Sequence, residues 1–158
     1  MLNKMKPLII VAALFFIASC SATRPEAIQK ETVYYYQAST DKPYDDVLAE
    51  LEVAIAEHNF RITGHSRVGK VIRDRGTQNF PEYDTVQFCN LSHAKVLLEL
   101  DPHAVHYMPC NVVVYQFNKR TVIKTHLLPE NTDNPKFNQF THKMNLKLKA
   151  IVDFAAEE

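Results

Sequence analysis

The stretch Phe88 to Cys110 reads FCNLSHAKVLLELDPHAVHYMPC, and it decides the arrangement of the chain because it joins two strands through a helix with defined ends. Asn90 is a helix-capping residue type, since its side-chain oxygen accepts from a first-turn backbone N–H that has no partner of its own. Leu91, Ala94, Val96, Leu97, Leu98 and Leu100 leave little polar circumference, so this helix is expected to be largely buried. Pro102 disfavours helical geometry at Asp101 and stops it. The same stretch holds two of the three cysteines and three of the seven histidines.

Working outward, Tyr83 to Cys89 and Asn111 to Phe117 read as strands flanking that helix. Asn118-Lys119 is a two-residue turn, and Thr121 to Leu128 returns as a hairpin partner. Upstream, Thr32 to Ser39 is rich in β-branched and aromatic residues and reads as a first strand, its tyrosines at 34 to 36 placing rings on both faces. Asp41 to Asn59 is a helix: Tyr44, Val47, Leu48, Leu51, Ala54 and Ile55 recur on one face. Asp41 is its expected cap, Pro43 suits its first turn, and Asn59 is placed to end it in the left-handed conformation. Phe60 to His65 alternates as a second strand, with Phe60 and Ile62 inward. Ser66 to Arg75 reads as a short helix capped by Ser66 and stopped by Gly76. Asn134-Pro135 opens a final helix with an apolar stripe from Phe137 to Ala155, and with Lys136, Lys143 and Lys147 on its water-facing side.

These elements predict an α+β fold: an antiparallel sheet of about five strands backed by two long helices, with short helical inserts between strands. If the sheet is a meander, the strand ending at Cys89 lies beside the strand that begins near Cys110. The intervening helix runs back about 15 Å, and the loop from Pro102 to Pro109 cancels that. A parallel crossover would instead separate the sulfurs by a strand length, beyond the reach of a disulfide.

The N-terminus is of a different kind. Lys4 and Lys6 precede the apolar run Leu8 to Ala18, which is too short to span the roughly 30 Å bilayer core as a helix and reads as a signal peptide. Ile17-Ala18-Ser19-Cys20 resembles the bacterial lipobox, which implies lipidation of Cys20 after removal of residues 1–19. The expected organisation is a signal peptide at 1–19, a lipid-anchored tether at 20–30 and a single α+β domain at 31–158. Several acyl chains make such an anchor durable where one would not. The expected location is the bacterial cell envelope, facing the periplasm, and Ser21 after the lipidated cysteine favours the outer membrane by the general sorting pattern of lipoproteins. The formal net charge is zero and turns slightly acidic once Lys4 and Lys6 are removed. With no basic stripe, nucleic acid is excluded as a partner.

Phe88-Cys89-Asn90, Leu98 with Asp101-Pro102, and the run Met108-Pro109-Cys110-Asn111-Val112-Val113-Val114-Tyr115 together resemble the signature of the domain of unknown function 302 family. The resemblance covers roughly Thr32 to Leu128 and the last helix. It implies an α+β domain of TATA-binding-protein-like arrangement, often a homodimer, with no established reaction. Leu91 stands where the family usually has proline, and Asn59 where it usually has glycine; both replacements fit the expected backbone.

For Cys89 and Cys110, three readings stand open: a structural disulfide, two buried unpaired thiols, or a redox or metal role. In an extended segment residues two apart share a side, so His106, Met108 and Cys110 would project together, with His103 and Cys89 as additions. Imidazole, thioether and thiolate form a soft set suited to copper(I). His93, one turn into the helix, reads as a hydrogen-bonded packing residue. Ser92 to Lys95 matches an S-x-x-K string, but its companion S-D-N and K-T-G strings are absent. Three glycines in the whole chain leave no phosphate-cradling loop. With no catalytic motif, the leading expectation is a non-catalytic binding or accessory domain that holds a small ligand or an envelope protein partner in a roomy groove near Cys89 and Cys110. The alternative is a thiol-based redox or copper-handling protein, and a third class is a purely structural envelope protein.

Overall fold

A computed structural model describes residues Tyr34–Glu157. The signal peptide at 1–19, Cys20, the tether and the start of the expected first strand lie outside the described residues. Five strands form one sheet: β1 (Tyr34–Thr40), β2 (Arg61–Arg67), β3 (Tyr83–Cys89), β4 (Cys110–Phe117) and β5 (Arg120–Leu127). Their spatial order is β1-β5-β4-β3-β2, and every pairing is antiparallel. Among the described residues no helix is long and apolar enough to cross a membrane.

Two long helices, α1 (Tyr44–Glu57) and α4 (Pro135–Ala156), cover one face of the sheet. Val47, Leu51 and Ile55 of α1 and Leu148, Ile151 and Val152 of α4 meet Val86, Phe88, Val112, Val114 and Ile123 of the strands, all at 0–1% exposure. Each such side chain contributes about 1.5–3 kcal/mol by leaving water, so this layer is the main source of stability. The other sheet face carries the short helix α2 (Val68–Asp74), which closes tightly on the strand below it. A Cβ on Gly69 would come within 2.5 Å of the Pro81 carbonyl oxygen and 2.6 Å of the Tyr83 nitrogen.

The helix ends follow local chemistry. Asn59 adopts φ 63°, and Phe60 N–H donates back to Ile55 O at 3.0 Å, a left-handed stop that turns Phe60 into the core. Asn118 and Lys119 take φ 51° and 65°, the mirror-image turn whose twist matches a hairpin. Asn134 caps α4 by accepting from Lys136 N and Phe137 N.

Four expectations are corrected. Asp41 does not cap α1, because Pro43 occupies the cap position without a side-chain bond, and Asp41 instead accepts from Arg120 Nε at 3.1 Å. Ser66 does not open α2, because β2 continues through Arg67. Ile62 is 42% exposed, since a bulge between Ile62 and Gly64 shifts the register and breaks the alternation. The helix α3 (Leu91–Leu100) is not largely buried: Leu97 alone of its residues is buried and Leu91 is 84% exposed. It packs beside α4 and the following 3₁₀ helix rather than under the sheet.

Candidate functional site

The meander places Phe88 of β3 directly opposite Cys110 of β4, so Cys89 and Cys110 come together where the two strands meet α3. Both are half-buried free thiols. They line a cleft closed by His93 and Leu97 of α3, Tyr107 and Met108 before β4, and Phe140 and Met144 of α4, with the buried Phe60 also in its lining. The cleft encloses a cavity of only about 20 Å³, room for one water-sized group, and not the roomy groove expected from sequence.

Three polar anchors hold these walls in place. Asn90 Oδ1 accepts from His93 N–H at 3.0 Å and caps α3, while its Nδ2 donates to Asn59 O at 2.7 Å and ties α3 to the end of α1. On the far side, Asn145 Nδ2 donates to Leu128 O at 2.9 Å, and its Oδ1 accepts from Leu128 N–H at 2.8 Å. That paired amide fixes the rotation of α4, so Phe140 and Met144 face the cleft. Asn134 Nδ2 donates to Leu100 O at 3.1 Å, joining the start of α4 to the end of α3.

His93 is the unusual member. Its Nδ1 is buried and has no hydrogen-bond partner, against the expectation of a bonded packing histidine, and its ring meets Phe60 and Phe140 edge-on at 5.7 and 6.2 Å. Burial first, and the charge of Lys147 second, push its pKa below the ordinary value, so the ring is neutral at pH 7. Lys147 is not on the water-facing side: it is half-buried, with its ammonium 6.0 Å from the Phe60 ring centroid. The place of His93 three residues after the capping asparagine was the available signal, since an i+3 residue returns to the face the cap marks.

Cys110 is the more buried thiol in chemical effect. Burial, with a smaller contribution from neighbouring Cys89, raises its pKa from 9.0 to about 11, which keeps it protonated at neutral pH. A nucleophilic or metal-binding cysteine needs the opposite shift.

The residues read as a copper set are divided by the backbone. Pro102–Tyr107 forms a 3₁₀ helix rather than an extended segment, because Asp101 Oδ1 accepts from His103 N–H and starts a tight turn at Pro102. His103 and His106 therefore lie on its exposed surface, where His106 Nδ1 donates to the His103 carbonyl. Met108 and Cys110 reach the cleft; His103 and His106 are absent from its lining. Among the described residues no three histidine, cysteine or acidic side chains converge as a metal site.

A family model described as a domain of unknown function, DUF302, matches residues 35–155. The crystal structure of an uncharacterized conserved DUF302 protein from Bacillus stearothermophilus is similar, with a TM-score of 0.66 and 20% identity over 77% of this chain and 98% of that one. At that identity the likeness is one of fold. No curated protein matches the chain.

Proposed function

The chain belongs to the DUF302 family, and from that premise we propose that it is an envelope-anchored lipoprotein whose folded domain is a non-catalytic binding or accessory module. His93 carries the reading. A buried ring nitrogen that no protein group bonds, facing apolar walls, matches a guest offering one hydrogen-bonding atom on a small apolar body. The cavity of about 20 Å³ limits that guest to something the size of a side-chain tip, which favours an envelope protein partner over a cofactor. The protonated Cys110 thiol supports a role without covalent chemistry. Titration with methanol, a hydroxyl on a single methyl group, is expected to shift the Met108 and Met144 methyl resonances of the cleft saturably, and His93→Phe to abolish the response. The absence of a saturable shift overturns the reading of the cleft.

The anchoring is supported by Ile17-Ala18-Ser19-Cys20 and Ser21. An alkyne-tagged fatty acid is expected to label the wild-type chain, and Cys20→Ser to lose both the label and the membrane association. Cys20→Ser protein that stays membrane-bound overturns the lipid anchor. The sheet face away from α1 and α4 has an apolar hollow of about 520 Å³ lined by Val68, Ile72, Phe80, Tyr83, Val113 and Tyr115. That hollow supports self-association as a homodimer, which light scattering of the full chain tests directly.

One observation favours a second reading, a copper(I) or redox site: Cys89, Cys110, Met108, Met144 and His93 share a single cleft. Competition for copper(I) against a chromophoric chelator tests it, and a Cys89→Ser, Cys110→Ser double variant that competes as well as wild type excludes it.

A further inference from the structure

Asp84 is the one charged side chain buried among the described residues, its side chain 3% exposed. It sits at the start of β3, at the opposite end of the sheet from the cysteine cleft. Removing a carboxylate from water is costly unless partners replace the lost hydration. One oxygen is served: Asp84 Oδ2 lies 2.7 Å from His65 Nε2. Beside it the Tyr44 hydroxyl is buried, donates to the Val114 carbonyl at 3.0 Å and also interacts with the Asp84 carboxylate. Asp84 also lines a cavity of about 170 Å³ between the first turn of α1, the end of β2 and α2, so this carboxylate faces a space that admits a small molecule.

The charges around that space balance. Three cations, Arg67, Lys70 and Arg73, face three anions, Asp45, Glu82 and Asp84. Arg73 is engaged by Glu82 and by the Phe80 carbonyl, and Lys70 by Asp74. Arg67 and Asp45, both exposed, have no ion-pair partner among the described residues. The cavity thus offers one uncommitted guanidinium on one wall, and a buried and an exposed carboxylate on the others. A simple anion would be repelled by the carboxylates and a simple cation by the three basic side chains. A molecule carrying both charges matches both walls.

We propose that this cavity binds a small zwitterion of the α-amino-acid class, its carboxylate on Arg67 and its ammonium group on Asp84 and Asp45. The Arg67 fork suits a carboxylate through two parallel hydrogen bonds, and Asp84, held in place by His65, lines the same cavity with a negative charge. This site is separate from the cysteine cleft and stands or falls independently of it.

Calorimetric titration of the purified full chain with glycine, and separately with acetate and methylamine, tests the assignment. Glycine is expected to bind saturably, and each half-molecule at least about tenfold more weakly, the effect of losing one charge-assisted hydrogen bond. Arg67→Gln and Asp45→Asn alter exposed side chains without ion-pair partners, so they are expected to leave the melting temperature unchanged while weakening glycine by about the same factor. Saturable glycine binding that is weakened in both variants supports the proposal. Three results overturn it: no heat with glycine, acetate binding as tightly as glycine, or undiminished glycine binding by Arg67→Gln.

Discussion

The state of the Cys110 thiol can be tested by its rate of alkylation. Its pKa of about 11, against 9.0 for an ordinary thiol, is a shift of two units. At neutral or mildly basic pH the reactive thiolate is therefore about a hundredfold scarcer than in an exposed cysteine, equivalent to about 2.7 kcal/mol. A pulse of iodoacetamide, quenched and followed by mass mapping of the Cys110 peptide, is expected to show at least that reduction in the native protein relative to the chain in guanidinium chloride. Occlusion alone would also slow the reaction, so the pH profile is decisive. With a raised pKa the native rate keeps climbing tenfold per pH unit to beyond pH ~10, whereas the unfolded chain levels off near pH ~9. Because burial is the larger cause and Cys89 the smaller, Cys89→Ser should lower the native inflection by less than half of the shift. A native inflection at the ordinary position would refute the argument and restore Cys110 as a reactive thiol.

Three further outcomes follow from the walls of the cleft and the packing of α2. Asn90→Ala removes both the α3 cap and the bond to Asn59 O and is expected to cost about 1–2 kcal/mol in urea unfolding; Asn90→Asp should keep the cap and lose only the tie to α1. His93 and His126 have pKa values lowered by burial, so the folded state prefers them neutral. Stability is then full above pH ~6.5 and is lost as the pH falls through their folded values. Calorimetry should show a falling melting temperature over that range, with a shallower slope in His93→Phe and the remainder due to His126. Gly69→Ala places a methyl group against the backbone of Pro81 and Tyr83 and should destabilise by about 1–3 kcal/mol; a neutral result would mean α2 rides more loosely than its contacts indicate.

Most of the framework was legible because its signals are local. The left-handed Asn59, the Asn118-Lys119 turn, the Asn90 and Asn134 caps and the apolar stripe of α4 are each set by residues within one turn of the chain. The adjacency of Cys89 and Cys110 followed from the sheet being a meander. What escaped depends on neighbours distant in sequence. The apolar circumference of α3 gave no hint that the helix lies at the margin of the core, where Leu91 and Val96 stay exposed. The Pro102–Tyr107 turn scattered a histidine set that an extended backbone would have gathered. The lack of a partner for His93 Nδ1 is a property of the cleft and not of the helix that carries it. Nothing local marks Asp84 within the Tyr83 to Cys89 strand, and only the packing of α1, β2 and α2 around it makes it a buried carboxylate.

The strand order has a consequence for how the molecule is made. β1 is hydrogen-bonded to β5 alone, with Ala38 opposite Ile123, so during synthesis the first strand waits until almost the whole domain has emerged. The local pairs β2 with β3 and β4 with β5 close early, whereas the edge formed by β1 is a late, long-range step. Until then Tyr34, Tyr35 and Tyr36 belong to an unpaired strand of the kind that joins other chains. Of the described strands β1 therefore waits longest for its partner, and a chain truncated before β5 leaves it with no place in the sheet.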